Sequence, residues 1–273
     1  MKKIAIITGA SSGMGKDFAL QIAKNYKDVC NELWLIARRK ENLENLAKEI
    51  EQIGSSPVPK VFALDICGKE GVQNLKQILD EQKEFCKNPN DFEIKLLVNN
   101  AGFGTYGPFE KTDTEKEMQM IDLNCTSLTG ITSICFPYMK KNSFIINTSS
   151  LAAFAPLGNF AVYAATKAFV LSFSTALCAE LKHRGIKVCA LCPGSVSTEF
   201  ANVASNGARK EVLHGTPSSP VVAHCLKKAF KGKRIAIYCF KWKFKAFMSK
   251  IIGAYAIASF TYKYCKRPYN EEK

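Results

Sequence analysis

The chain has no CxxC pair and no cluster of cysteine and histidine at metal-ligand spacing, and its eleven cysteines are an odd number set beside only three histidines. These absences exclude a disulfide framework and a structural zinc site. Cys125, Cys135, Cys178, Cys189 and Cys192 sit inside apolar runs, where a free thiol acts as a small hydrophobe; a reducing cytoplasm is the expected setting. KKIAIIT opens the chain without the long apolar region of an export signal, so secretion is not expected. Internal repeats, low-complexity tracts and linkers are also missing. At 273 residues, one core is expected over 1–240 rather than two full domains, with 241–273 as an extension of it. Acid is scarce: 24 Asp and Glu face 38 Lys and Arg, a net charge of +14. That surplus favours anionic partners. It is scattered through segments such as 40–48 and 69–87, with no block suited to reading bases, so nucleic acid is not an expected partner.

What is present is an alternation. Strand-like apolar runs at 4–8, 33–37, 61–64, 96–99, 144–148, 188–192 and 235–238 are separated by segments such as 41–53 and 160–182, whose apolar positions recur every three or four residues. This rhythm predicts an α/β fold, a doubly wound parallel sheet of about seven strands with helices on both faces. The unbroken apolar character of 4–7 and 96–98 suits strands buried on both sides.

Directly after the first strand comes Thr8-Gly9-Ala10-Ser11-Ser12-Gly13-Met14-Gly15, opening a helix. Glycines here let the backbone turn sharply and approach a pyrophosphate, which helix N-terminal N–H groups stabilise. The spacing is TGxxxGxG, and four further motifs follow in order. They are Asn99-Asn100-Ala101-Gly102; Asn124; Ser150 with Tyr163-Ala164-Ala165-Thr166-Lys167; and Pro193-Gly194 with Thr198. Together these resemble the short-chain dehydrogenase/reductase family over about 3–238. The resemblance implies a Rossmann-type fold and hydride transfer between a nicotinamide cofactor and a carbonyl/alcohol pair. It also implies that Gly9, Ser11, Ser12, Gly13, Met14 and Gly15 cradle the pyrophosphate. Asp65 and Ile66 would then meet the adenine, Asn99, Ala101 and Gly102 would line the cofactor, and Pro193, Gly194, Val196 and Thr198 would close over the nicotinamide. Asp65 also reads as the N-cap of a helix beginning near Lys69.

The end of the second strand reads Leu35-Ile36-Ala37-Arg38-Arg39. An acid at position 37 would repel a 2′-phosphate, and a guanidinium pairs with one, so NADP(H) is expected, with Arg38 weighted over Arg39. Tyr163 and Lys167 stand four apart in a helical segment and so share a face. An ammonium beside the phenol and a positive nicotinamide ring are expected to lower the phenol's pKa from its ordinary value near 10. The resemblance makes Tyr163 the acid/base and Lys167 its activator and the holder of the nicotinamide ribose. It also gives Ser150, rather than Ser149, to the reacting oxygen and Asn124 to a proton-relaying water.

The segment 151–162 carries no charge, and Phe103, Tyr106 and Phe109 follow the NAAG-like motif, so a fairly apolar carbonyl or alcohol substrate is expected: a ketone or aldehyde, a steroid-like alcohol or a 3-oxoacyl chain. Residues 198–220 read as an irregular lid, with Arg209 and Lys210 placed to meet an anion or solvent. The tail alternates Lys and aromatics at 241–245; its apolar part, 251–262, is too short to span a bilayer, and suits either an interfacial helix or one packed on the domain or a neighbour. A homodimer or homotetramer is implied by the resemblance. The competing classes are a cofactor-sensing protein without catalysis and a membrane-surface interaction protein. Against the first, none of Asn124, Ser150, Tyr163 and Lys167 is missing.

Overall fold

A computed structural model describes residues 1–54, 57–86, 88, 91–210, 212 and 215–270. The strands are β1 (Lys2–Thr8), β2 (Glu32–Ala37), β3 (Val58–Ala63), β4 (Phe92–Asn99), β5 (Phe144–Thr148), β6 (Lys187–Leu191), β7 (Val196–Ser197), β8 (Thr216–Pro217) and β9 (Ile235–Ala236). Seven of them make one parallel sheet in the order β3-β2-β1-β4-β5-β6-β9, and β7 pairs separately with β8. The helices are α1 (Gly13–Asn25), α2 (Lys40–Gln52), α3 (Gly68–Glu84), α4 (Thr114–Ile121), α5 (Leu128–Cys135), α6 (Ala161–Glu180), α7 (Phe200–Ala204), α8 (Ser218–Phe230), α9 (Phe240–Met248) and α10 (Ala254–Tyr264).

Alternation along β1 explains its unbroken apolar run. Ala5 and Ile7 join the core made with Phe18 and Ile22 of α1, Leu43 and Leu46 of α2 and Val222 of α8. Ile4 and Ile6 point the other way, to Leu75 and Leu79 of α3 and Ile131 of α5. Side chains on a strand change face at every residue, so a strand covered on both sides must be apolar throughout. Strand β4 starts at Phe92, earlier than the apolar pattern predicts, because Glu93 and Lys95 interrupt that pattern. The Glu93 carboxylate is buried but lies 3.0 Å from Lys95 Nζ, and the β1–β4 register slips at this point.

Strand order reverses between β1 and β4, and the crevice at their C-terminal ends is where open α/β sheets bind ligands. The expected irregular lid is more ordered than its composition suggests. Residues 200–204 form α7, Thr216 and Pro217 pair with β7, and α8 begins at Ser218 with Pro220 in the first turn, where its missing N–H costs nothing.

The tail packs on the domain. Gly158 N donates to Thr261 Oγ1 at 2.9 Å, Asn159 Nδ2 to Tyr262 O at 3.0 Å, and Asn270 N to Ser205 O at 3.0 Å. These bonds carry α10 and the strand of chain after it over the C-terminal end of the sheet.

Candidate active site

The nucleotide turn is shaped by its own closeness. Gly9 and Gly13 have φ of +67° and +51°, and a Cβ on Gly9 would stand 2.9 Å from Ala101 Cα. A Cβ on Gly15 would stand 2.0 Å from the Gly9 carbonyl oxygen, so Gly15 closes the turn from beneath and stays out of the cleft. The Thr8 hydroxyl stitches β1 to β4, accepting from Asn100 N at 2.9 Å and Ala101 N at 3.0 Å. Ser12 caps α1 without a side-chain bond, which leaves the first-turn N–H groups for an anion.

A cleft of about 750 Å³ runs from this turn. Gly9, Ser11, Ser12, Gly13, Met14, Arg38, Arg39, Asp65, Ile66, Ala101, Gly102 and Thr198, all expected from the sequence to meet the cofactor, line it. The two arginines differ in state. Arg39 donates to Ser11 and Ser12 and pairs with Glu199 at 2.8 Å, tying the turn to the lid. Arg38 is exposed, borders the cleft and has no ion-pair partner among the described residues. With no acid at Ala37, the rim accommodates a 2′-phosphate. Asp65 Oδ1 accepts from Cys67 N at 3.0 Å, shaping the turn before α3; the N-cap of that helix is Cys67.

Besides Gly15, Tyr163 and Lys167, four expected cofactor residues do not line this cleft. Asn99 is buried in the sheet, its Nδ2 donating to Thr132 Oγ1 and Asn147 Oδ1, both at 2.9 Å; its neighbour Asn100 borders the cleft instead. Strand alternation decides this, because Leu97 and Asn99 share the α5 side. A Cβ on Gly194 would meet the Trp242 indole at 2.2 Å, so the tail occupies the space beside this turn. Pro193 is tied to the catalytic loop, its carbonyl accepting from Leu151 N at 2.8 Å. Val196 belongs to the core shared with α8.

The catalytic candidates do not line the cleft; they converge behind Gly102 and Phe200, which do. Tyr163 and Lys167 are both buried on one face of α6, and Lys167 Nζ is 5.6 Å from the Tyr163 ring centroid. Nζ donates to the Thr148 carbonyl at 2.9 Å, which fixes the ammonium. Ser150 hydrogen-bonds the Tyr163 phenol and accepts from Ala152 N at 3.1 Å. Ser149 turns away and donates to the Lys167 carbonyl at 2.8 Å. Asn124 sits in a π-turn, Asp122–Ser127, a widening of the helix often found at functional sites. Its amide is fully used: Oδ1 accepts from Phe103 N at 3.1 Å, and Nδ2 donates to Phe103 O and Thr166 Oγ1, both at 3.0 Å. Gly102 is required here, because a Cβ would stand 2.7 Å from Asn124 Oδ1 and 3.3 Å from Lys167 Nζ.

Electrostatics here differ from the sequence expectation. Burial raises the Tyr163 phenol well above its ordinary value, and the Ser150 hydrogen bond and the Arg267 charge oppose this only in part. Burial also lowers Lys167 to about 8. Desolvation disfavours each charged form, and in the chain without cofactor it is the largest cause of both shifts. Phe160 stacks on Tyr163 at 4.1 Å, and Phe200 lies 5.3 Å away, so an aromatic roof excludes water.

The sequence matches the short chain dehydrogenase family model over residues 3–208, and the chain belongs to that family of oxidoreductases. It is 33% identical over 214 residues to 17-beta-hydroxysteroid dehydrogenase type 3 of Mus musculus, a match covering 77% of this chain and 65% of that protein. It is 29% identical over 242 residues to the very-long-chain 3-oxoacyl-CoA reductase of Ajellomyces capsulatus, covering 86% of this chain and 66% of the fungal one. The chain thus spans about two thirds of the length of these relatives. Among solved structures, the short-chain dehydrogenase from Sphingobium yanoikuyae in complex with NADPH superposes with a TM-score of 0.75 at 26% identity, covering 92% of this chain and 94% of that one.

Proposed function

We propose that this chain is an NADP(H)-dependent carbonyl reductase acting on a fairly apolar ketone, aldehyde, steroid-like or 3-oxoacyl substrate. The observation that carries the reading is the buried Ser150–Tyr163–Lys167 constellation directly behind Gly102 and Phe200, which line a cleft marked by Arg38. Relatives named for steroid dehydrogenation and 3-oxoacyl reduction, and the NADPH-bound neighbour, support it. Bound in this cleft, NADPH supplies the hydride to the carbonyl carbon. Tyr163, a phenol at neutral pH and kept so by burial, gives its O–H proton to the carbonyl oxygen and recovers one from solvent. Ser150 orients that oxygen, and Lys167, held by Thr148, supplies positive charge under the phenolate as it forms.

The same reading places the protein in the cytoplasm as a homodimer or homotetramer, for which the uncharged outer face of α6, with Ala165, Ala168 and Phe169 exposed, is the supporting feature. Exposed Phe240, Phe244 and Phe247 on α9, beside Lys241, Lys243 and Lys245, support weak contact with an anionic membrane surface. The deciding experiment is a carbonyl panel with NADPH and NADH beside Tyr163→Phe. NADPH-linked reduction that falls at least a hundredfold in the variant is expected; equal use of NADH, or an unaffected variant, overturns the reading.

A further inference from the structure

Arg267 follows α10, in the stretch that crosses back over the lid. Its guanidinium carbon lies 4.8 Å from the Phe160 ring centroid and 5.4 Å from that of Tyr106. Phe160 stacks in turn on Tyr163 at 4.1 Å, so steps of 4.8 and 4.1 Å bring the cation within about 9 Å of the catalytic ring. The rings cover the face of the guanidinium but accept nothing from its in-plane donors, and Nη1, shut off from water, has no hydrogen-bond partner. Burial pulls the Arg267 pKa down from its usual range; Tyr106, Cys265 and Tyr163 oppose this, and no carboxylate among the described residues does so. Arg209, from the lid, adds a second positive charge within range of Arg267 and Tyr106. A planar donor fork whose buried Nη1 has no acceptor, in a positive corner, is matched by an oxyanion.

We propose that Arg267 binds an oxyanion at the far end of the substrate, a carboxylate, sulfonate or phosphate a few carbon atoms from the reacting carbonyl. This rests on the reading that Tyr163 protonates that carbonyl, and it refines the substrate class: an apolar middle lies against Phe160, Tyr106 and Phe200, with an anionic end under the tail. The selectivity therefore comes from the C-terminal extension, beyond the 3–208 stretch that defines the family.

The test compares 4-formylbenzoate with its methyl ester in NADPH consumption by the full chain. The acid is expected to exceed the ester at least tenfold in kcat/KM. R267Q lowers that acid-to-ester ratio at least tenfold through KM, and R267K retains an intermediate ratio. If Arg267 only clamps the tail, R267Q slows both substrates alike and leaves the ratio fixed, which overturns the proposal. A readout independent of turnover separates the two readings. The parent protein's Tm should rise more with 4-methylbenzoate than with 4-methylbenzamide, and R267Q should erase the difference. If that Tm difference appears while neither aldehyde is reduced, the reductase reading fails and the oxyanion site stands. Reduction of the ester with no charge preference in either readout defeats the oxyanion site alone.

Discussion

Replacing Lys167 with methionine should make the protein more stable and nearly inactive. The ammonium is buried, and burial brings its pKa from 10.5 to about 8. That difference costs the folded state about 3 kcal/mol at pH 7. The sign follows from proton counts: between about pH 8 and 10.5 the unfolded chain holds a proton that the folded chain has shed, so this group's contribution to stability rises with pH across that window. Methionine is of similar length and uncharged, so Lys167→Met removes the cost at pH 7. It also leaves the Thr148 carbonyl without its 2.9 Å donor, an offset of about 1–2 kcal/mol. A net gain of about 1–2 kcal/mol is expected in urea unfolding of the cofactor-free protein at pH 7, shrinking to zero or reversing near pH 10. Carbonyl reduction should fall about 10²–10⁴-fold at the same time. A variant less stable than the parent at pH 7, or a stability difference that ignores pH, would refute the claim that desolvation governs this lysine.

Three other expectations follow from the same geometry. In the parent, kcat/KM for reduction should be level near neutral pH and decline above about pH 8 as Lys167 loses its charge; a profile flat to pH 10 would show that the charge is not needed. Gly102→Ala puts a methyl 2.7 Å from Asn124 Oδ1, and should cost about 1–3 kcal/mol in thermal unfolding and at least tenfold in turnover; parental values in both would count against the close approach. Glu199→Gln releases Arg39 from a half-exposed pair at 2.8 Å, worth under about 1 kcal/mol. NADPH should therefore bind up to about fivefold tighter by fluorescence titration with NADH unchanged, and weaker NADPH binding would refute the competition.

The sheet was legible because a strand buried on both faces leaves an unbroken apolar run, and the nucleotide turn because close backbone approach admits only glycine at Gly9 and Gly15. Which neighbour faces the cleft depends on parity or on distance along the chain. Asn99 and Asn100 are adjacent on a strand end, and so are Ser149 and Ser150; in each pair one side chain enters the sheet-to-helix layer and the other faces the site. Parity was readable for the first pair from Leu97, which marks the α5 side. Gly194 could not be placed this way, since its neighbour Trp242 is 48 residues away along the chain and reaches it only after α9 docks.

The reversal at Tyr163 shows most clearly what a spacing can and cannot say. Four residues on a helix guarantee that Tyr163 and Lys167 meet, and an ammonium near a phenol in water lowers its pKa. The outcome is opposite here because the dielectric is set by Phe160, Phe200 and Tyr106, gathered from three separate segments, and by a tail that seals them. In that setting burial works against both charged forms: tyrosine stays a phenol, and lysine, brought down to about 8, is still an ammonium at pH 7. On the proposed function, such a site offers a phenol proton beside a positive charge at neutral pH, where a carbonyl oxygen would gain negative charge. On the same proposal, oxidation of the alcohol, which needs Tyr163 as phenolate, should require alkaline solution, and full-rate oxidation near pH 7 would refute the raised phenol.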